Sequence, residues 1–114
     1  MIKCETRNVG SVTIFSVVGN MGQSFLNEIH EEIQTELSSS STENFLMDLT
    51  EVSNINSVGI GLIVSTYKSI LSRKGRYALI SSNTEVNNTL KMIGVTRLFK
   101  VYNNEEEAIT EFTS

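Results

Sequence analysis

The sequence predicts an α/β fold, with a mixed, mostly parallel sheet of about five strands and about four helices packed against it, and three features carry that prediction. Apolar residues first alternate at a spacing of two, and from residue 26 they recur at the spacing of a helix. Short apolar runs with the length of buried strands then return at 44–50, 76–81 and 97–102, each followed by a helical stretch. Glycines, asparagines and serines punctuate the boundaries. Strands separated by helices pair in parallel because the connection must cross the sheet, whereas two strands joined by a tight turn pair antiparallel.

Taken in order, Ile2, Cys4 and Thr6 alternate with Lys3, Glu5 and Arg7, the period of a half-buried strand that turns Cys4 inward. "NVGS" at 8–11 offers a glycine for positive φ, and "VTIFSVVG" follows as a strand with apolar residues on both faces, which completes a hairpin. Leu26, Ile29, Ile33 and Leu37 then share one helical stripe, with Glu28, Glu31, Glu32 and Glu36 mostly opposite. His30 flanks the stripe as a boundary residue. "SSSST" at 38–42 is a turn, and "NFLMDLT" at 44–50 is a buried strand.

The next helix begins near Val58, carries Ile60, Ile63, Val64, Tyr67, Ile70 and Leu71 on its apolar side, and stops at Gly75. "RYALIS" and "RLFKVY" are strands, and each precedes a helix. Those helices open on Ser82 with Glu85 and on Asn103 with Glu106, a spacing that lets a side-chain acceptor and a carboxylate satisfy free N–H groups reciprocally. The run Glu105–Glu107 suits the first turn of the last helix, where acidic side chains meet the positive end of the dipole.

Composition narrows the function classes. The 114 residues are expected to form one domain over 1–114, with a core that needs neither disulfide nor metal. A net charge of -4, with only Arg73, Lys74 and Arg76 close together, argues against nucleic acid, and those cations suit a helix C-terminus. Cys4 and His30 are the only residues of their kinds, too few for a disulfide or a zinc site, and no cofactor is expected. The chain has no apolar run of membrane-spanning length and no leader-like N-terminus, so membrane insertion is not expected and the expected location is the cytoplasm.

No enzyme motif is complete. "GIGLIV" holds only the first two glycines, Gly59 and Gly61, of a dinucleotide fingerprint, and no phosphate-binding GxxxxGK loop exists. A hydrolase built on Ser57 would need a base in a nucleophile-elbow context, which His30 does not have. Asp48 at the end of a strand suggests a phosphoacceptor, but "FSVVGNMGQ" lacks the carboxylates that would hold Mg²⁺ there, and Asp48 suits a loop-bracing acceptor. A small hydrolase or phosphotransfer enzyme is therefore a remote alternative.

The informative stretch is "NINSVGIGL" at 54–62, where a polar loop becomes an apolar helix. From the residues alone, Asn56 or Ser57 caps that helix, Gly59 and Gly61 keep its first turn slim, Val58 is a candidate contact and Ile60 a candidate core residue. The sequence from Phe45 through Ile109 resembles the body of a STAS domain, specifically of the bacterial anti-sigma factor antagonists of sporulation and stress responses, and the likeness covers essentially the whole chain. Its marks are Asp-Leu-Thr at 48–50, Asn-Ser-Val-Gly-Ile-Gly at 56–61, the helix ending "RKG" and the later "IGVTRLFKVY".

The resemblance implies a STAS fold and a non-enzymatic regulator. It assigns Ser57 as the residue phosphorylated by a partner that is both anti-sigma factor and serine kinase. Unphosphorylated protein would bind that partner and free sigma, phosphorylation would end the binding, and a serine phosphatase would reset it. The residues around Ser57 suit a docking patch, and the expected contact surface is Met21, Gly22, Asn56, Ser57, Val58 and Gly59; the sequence leaves the oligomeric state open between monomer and weak dimer. The family loop usually reads Asp-Ser-Ser/Thr-Gly-Leu-Gly, whereas here Asn56 precedes the serine and Val58 follows it, and "GNMGQ" at 19–23 lacks the acidic residue many relatives carry. Those departures suit an alternative, a constitutive STAS scaffold or transporter-associated regulatory module that is never phosphorylated.

Overall fold

The leading hairpin pairs β1 (Ile2–Val9) with β2 (Val12–Met21), antiparallel, with Val9 opposite Val12 across a turn in which Gly10 takes φ 60°. The computed structural model describes residues 2–21 and 26–113. After α1 (Leu26–Ser39), β3 (Asn44–Ile55) lies parallel to β2, β4 (Arg76–Ile80) parallel to β3, and β5 (Val101–Tyr102) parallel to β4. The strand order is β1-β2-β3-β4-β5. Three further helices complete the layers: α2 (Ser57–Ser72), α3 (Thr84–Ile93) and α4 (Glu105–Thr113).

Period-two alternation sends the strands' apolar residues to both faces. On one face Phe15, Val17, Phe45, Met47, Tyr77 and Leu79 pack under Ile29, Ile33 and Leu37 of α1, Ile60, Ile63 and Ile70 of α2, and Val86 and Leu90 of α3. On the other, Val12, Ile14, Leu46, Ala78, Ile80 and Tyr102 meet Ala108 and Phe112 of α4. Two cationic contacts hold α4 down: Arg7 of β1 pairs with Glu105, and the Arg76 guanidinium lies 4.6 Å from the Phe112 ring centroid. The expected mixed sheet and four helices are present.

Several boundaries differ from the sequence reading, each for a tertiary reason. β3 continues past Thr50 to Ile55, because its second half pairs with the end of β2 alone; the register slips between Ser16/Val18 and again between Gly19/Asn20, so β3 bulges twice against it. Asp48 is thus inside the strand, where its Oδ1 accepts from the Thr50 backbone N–H at 2.9 Å and from the Thr50 hydroxyl, bracing the first irregularity. β2 likewise runs on through Met21. The expected strand "RLFKVY" shrinks to Val101–Tyr102, since Val95–Arg97 forms a 3-10 turn and Phe99 packs against Tyr67 and Tyr77 with ring centroids 5.2 and 5.1 Å away.

The caps shift by one residue. Asn83 rather than Ser82 accepts from Glu85 N and Val86 N at the start of α3, and Asn104 rather than Asn103 accepts from Glu107 N at the start of α4. At the end of α2 the left-handed residue is Lys74, with φ 61°, not Gly75. Gly75 is required for space, because a Cβ there would stand 2.8 Å from Ile70 Cγ2 and 2.9 Å from the Glu43 carbonyl oxygen. Arg73 locks this end of α2 to the neighbouring turn, donating to the carbonyls of Leu37, Ser40 and Thr42 and lying over the Phe45 ring.

Candidate functional site

The stretch that stood out in the sequence lies where β3 hands over to α2. Asn56 is extended, with φ -134° and ψ -167°, and its Oδ1 accepts from Val58 N at 2.9 Å and Gly59 N at 3.4 Å. Its own carbonyl accepts from Ile60 N at 2.9 Å, closing the first helical turn. Of the two candidate caps, Asn56 is therefore the one used. Ser57 is the first residue of the helix, exposed, and Val58 beside it is 52% exposed.

Gly59 explains why the junction sits where it does. A Cβ at this position would lie 2.8 Å from Ile55 Cγ1, 2.8 Å from the Met21 carbonyl oxygen and 2.9 Å from Met21 Cβ, so only glycine lets the first turn of α2 rest on the ends of β2 and β3. Gly61 is different: among the described residues nothing lies within 4 Å of its hypothetical Cβ. It opens instead onto a groove of about 260 Å³ between α1 and α2, lined by Asn27, His30, Val58, Gly61, Leu62 and Ser65.

The sequence-predicted site residues divide accordingly. Asn56, Ser57 and Val58 form one exposed edge. Met21, expected in a loop as a contact, is fully buried in the core and serves as the floor under Gly59. Gly22 lies outside the described residues. Ile60 is core, as expected, at 7% exposure. The groove residues Asn27, His30, Leu62 and Ser65 were not singled out for the site, and nothing in their local sequence could have done so, because the groove exists only once α1 packs beside α2. His30 is half-buried on that rim, the position of a boundary residue flanking the apolar stripe of α1.

Electrostatically the junction favours an anion. The first N–H groups of a helix carry partial positive charge, and α2 has no acidic residue in its first turn to oppose added negative charge. Asn56 caps as an aspartate would, but without a charge of its own. Among the described residues, no three His, Cys, Asp or Glu side chains gather to hold a metal ion, and no helix is long and apolar enough to cross a membrane.

A mixed five-stranded sheet led by an antiparallel hairpin, with a serine exposed at the β3–α2 junction, fits one class of domain. The chain belongs to the STAS domain family, whose model matches residues 3–108. It is similar to a proposed anti-sigma factor antagonist of Thermotoga maritima, 38% identical over 63 residues; that match takes in 55% of this chain and spans only 56% of the relative's length. An anti-sigma F factor antagonist of Paenibacillus polymyxa is 24% identical over 110 residues, 96% of this chain and 94% of that one. Among solved structures, a proposed anti-sigma factor antagonist from Thermotoga maritima superposes with a TM-score of 0.85 at 26% identity, covering 97% of this chain and 95% of that one.

Proposed function

We propose that this chain is an anti-sigma factor antagonist, a cytoplasmic, non-enzymatic regulator that binds an anti-sigma factor with serine kinase activity and is switched off by phosphorylation of Ser57. The observation that carries the reading is the placement of Ser57: exposed, at the first position of α2, held by the Asn56 cap and flanked by the exposed Val58 on a turn seated by Gly59. A phosphate there sits at the positive end of the α2 dipole, with no acidic residue in the first turn to oppose it, so the fold tolerates it. It adds about -1.5 to -2 charges and three acceptor oxygens to a surface whose neighbour is apolar, which makes docking of a partner on Val58 unfavourable by desolvation and repulsion. The switch acts on surface chemistry and leaves the sheet unchanged. A serine phosphatase returns the protein to its binding form.

The contact surface in this reading is Asn56, Ser57 and Val58, with Gly59 and Met21 setting its height; Gly22 adjoins it in sequence. The test is affinity for the anti-sigma kinase in three forms of the protein. Wild type and Ser57→Ala should bind alike, Ser57→Asp should bind much more weakly, and incubation of wild type with kinase and ATP should place a phosphate on Ser57. Equal binding by all three forms would end the switch reading. A second reading, a constitutive STAS scaffold or transporter-associated module, is favoured by Asn56 and Val58 in place of the usual acidic and hydroxyl residues. It predicts no phosphoryl transfer to Ser57 and partner binding indifferent to either substitution.

A further inference from the structure

β1 is the terminal strand of the sheet, and among the described residues no strand pairs with its outer edge. Val9 and Val12 flank a tight turn and form the hydrogen-bonded end pair of the hairpin, so the backbone groups of Val9, Arg7, Glu5 and Lys3 point to β2. Those of Cys4, Thr6 and Asn8 point outward, a row of donors and acceptors available to another extended chain. The same residues place their side chains toward α1: Ile2 and Cys4 pack on the core below that helix. Above the edge, Thr6 and Glu28, Glu31, Glu32, Thr35 and Glu36 line an open concavity of about 590 Å³.

We infer that the β1 edge is a docking site for an extended basic segment of a partner protein, which adds to the sheet as a sixth strand and directs alternate Lys or Arg side chains at the α1 glutamates. Charge selects this occupant. None of the four glutamates is in an ion pair among the described residues, whereas the β1 cations Lys3 and Arg7 lie on the opposite face of the strand, paired with Glu5 and Glu105, so the α1 face of the edge carries uncompensated negative charge; the Cys4 thiol beside it is pushed up to about 12, by burial first and then by Glu32 and Glu5. A second copy of this chain is disfavoured, because a two-fold pairing of β1 with β1 brings both α1 helices to the same sheet face and sets glutamates against glutamates. Main-chain hydrogen bonds supply affinity in such strand addition, and alternate side chains supply specificity.

This surface lies on the side of α1 opposite α2, away from Ser57, so the inference is independent of the proposed switch. The test uses the full chain, labelled for amide NMR, and a short peptide of alternating lysine and threonine, with a glutamate-threonine peptide as control. The lysine peptide should shift β1 and α1 resonances and slow exchange of the Cys4 and Thr6 amides, and the glutamate peptide should do neither. N-methylation of the peptide on its pairing edge should weaken binding by about tenfold or more, as should joint Glu31→Gln and Glu32→Gln, and added salt should reduce it. Binding that ignores N-methylation would reduce the contact to diffuse electrostatics and overturn the inference. So would the absence of any shift, or protection of β1 that tracks concentration-dependent dimerisation without peptide.

Discussion

Replacing Gly59 by alanine tests whether a close approach of backbone sets the position of Ser57. The added methyl group would stand 2.8 Å from Ile55 Cγ1, 2.8 Å from the Met21 carbonyl oxygen and 2.9 Å from Met21 Cβ. The Ile55 side chain can rotate, but Met21 is the last residue of β2 and is paired with Ile55 in the sheet, so its carbonyl has little freedom. Relief requires α2 to lift from the sheet edge. Overpacking of this kind costs about 1–3 kcal/mol, while the helix-propensity gain of alanine over glycine is about 1 kcal/mol, which leaves a net loss of up to about 2 kcal/mol.

Gly61, two residues on, is the internal control. Among the described residues nothing lies within 4 Å of its hypothetical Cβ, so Gly61→Ala carries only the propensity term and should stabilise by about 0.5–1 kcal/mol. In a chain of this size 1 kcal/mol moves Tm by roughly 4 °C, so urea titration and thermal unfolding resolve two shifts of opposite sign. Equal stabilities for Gly59→Ala and Gly61→Ala would refute the reasoning, because the only difference invoked between them is the space around the added methyl group.

Three other outcomes test the remaining structure. Asn56→Ala should cost about 1 kcal/mol, because Val58 N and Gly59 N lose their acceptor, and Asn56→Ser should recover most of it in the same unfolding experiment. Arg73→Ala should cost about 2–3 kcal/mol by leaving the Leu37, Ser40 and Thr42 carbonyls without their donor, and Arg73→Lys should not restore it, since one ammonium group lacks the planar fork that reaches all three. The third concerns pH: the Arg7 side chain hydrogen-bonds Glu105 and holds its carboxyl below the usual carboxylate range. A depressed folded-state pKa contributes stability above the unfolded value, near 4.3 for glutamate, and that contribution is lost as pH falls through the folded value. The difference between wild type and Arg7→Met should therefore shrink on acidification below about pH 4.5, and a pH-independent difference would contradict the pairing.

Much of the candidate site was legible locally. Asn56 and Ser57 stand before a helical stripe, and a cap of Asn, Ser, Thr or Asp at that point follows from the helix's own unpartnered N–H groups. Which of the two accepts was not legible, since both have the right chemistry and the choice rests on the backbone angles that β3 imposes on Asn56. The same applies at Ser82–Asn83 and Asn103–Asn104, where adjacent capping residues compete and the exit direction of the preceding strand decides. Met21 is the clearest case: its glycine and polar neighbours place it in a loop and leave contact and burial both open, and the extension of β2 alongside the second half of β3 puts it in a strand and buries it completely.

The sequence by itself determined the order of strands and helices, the antiparallel hairpin at the start, the helix-start location of Ser57 and the core role of residues such as Ile60 and Ile63, because periodicity and capping are short-range properties written within a few residues. Only the tertiary structure decided that β3 reaches Ile55 through two irregularities, that β5 is cut to Val101–Tyr102, and that Gly59 serves packing while Gly61 faces open space. It alone placed four glutamates over a strand edge that no strand pairs with among the described residues. The reason is common to all of these: each depends on which distant segment lies alongside, and a strand's length, a glycine's purpose and an edge's exposure are set by the neighbour that is present or missing.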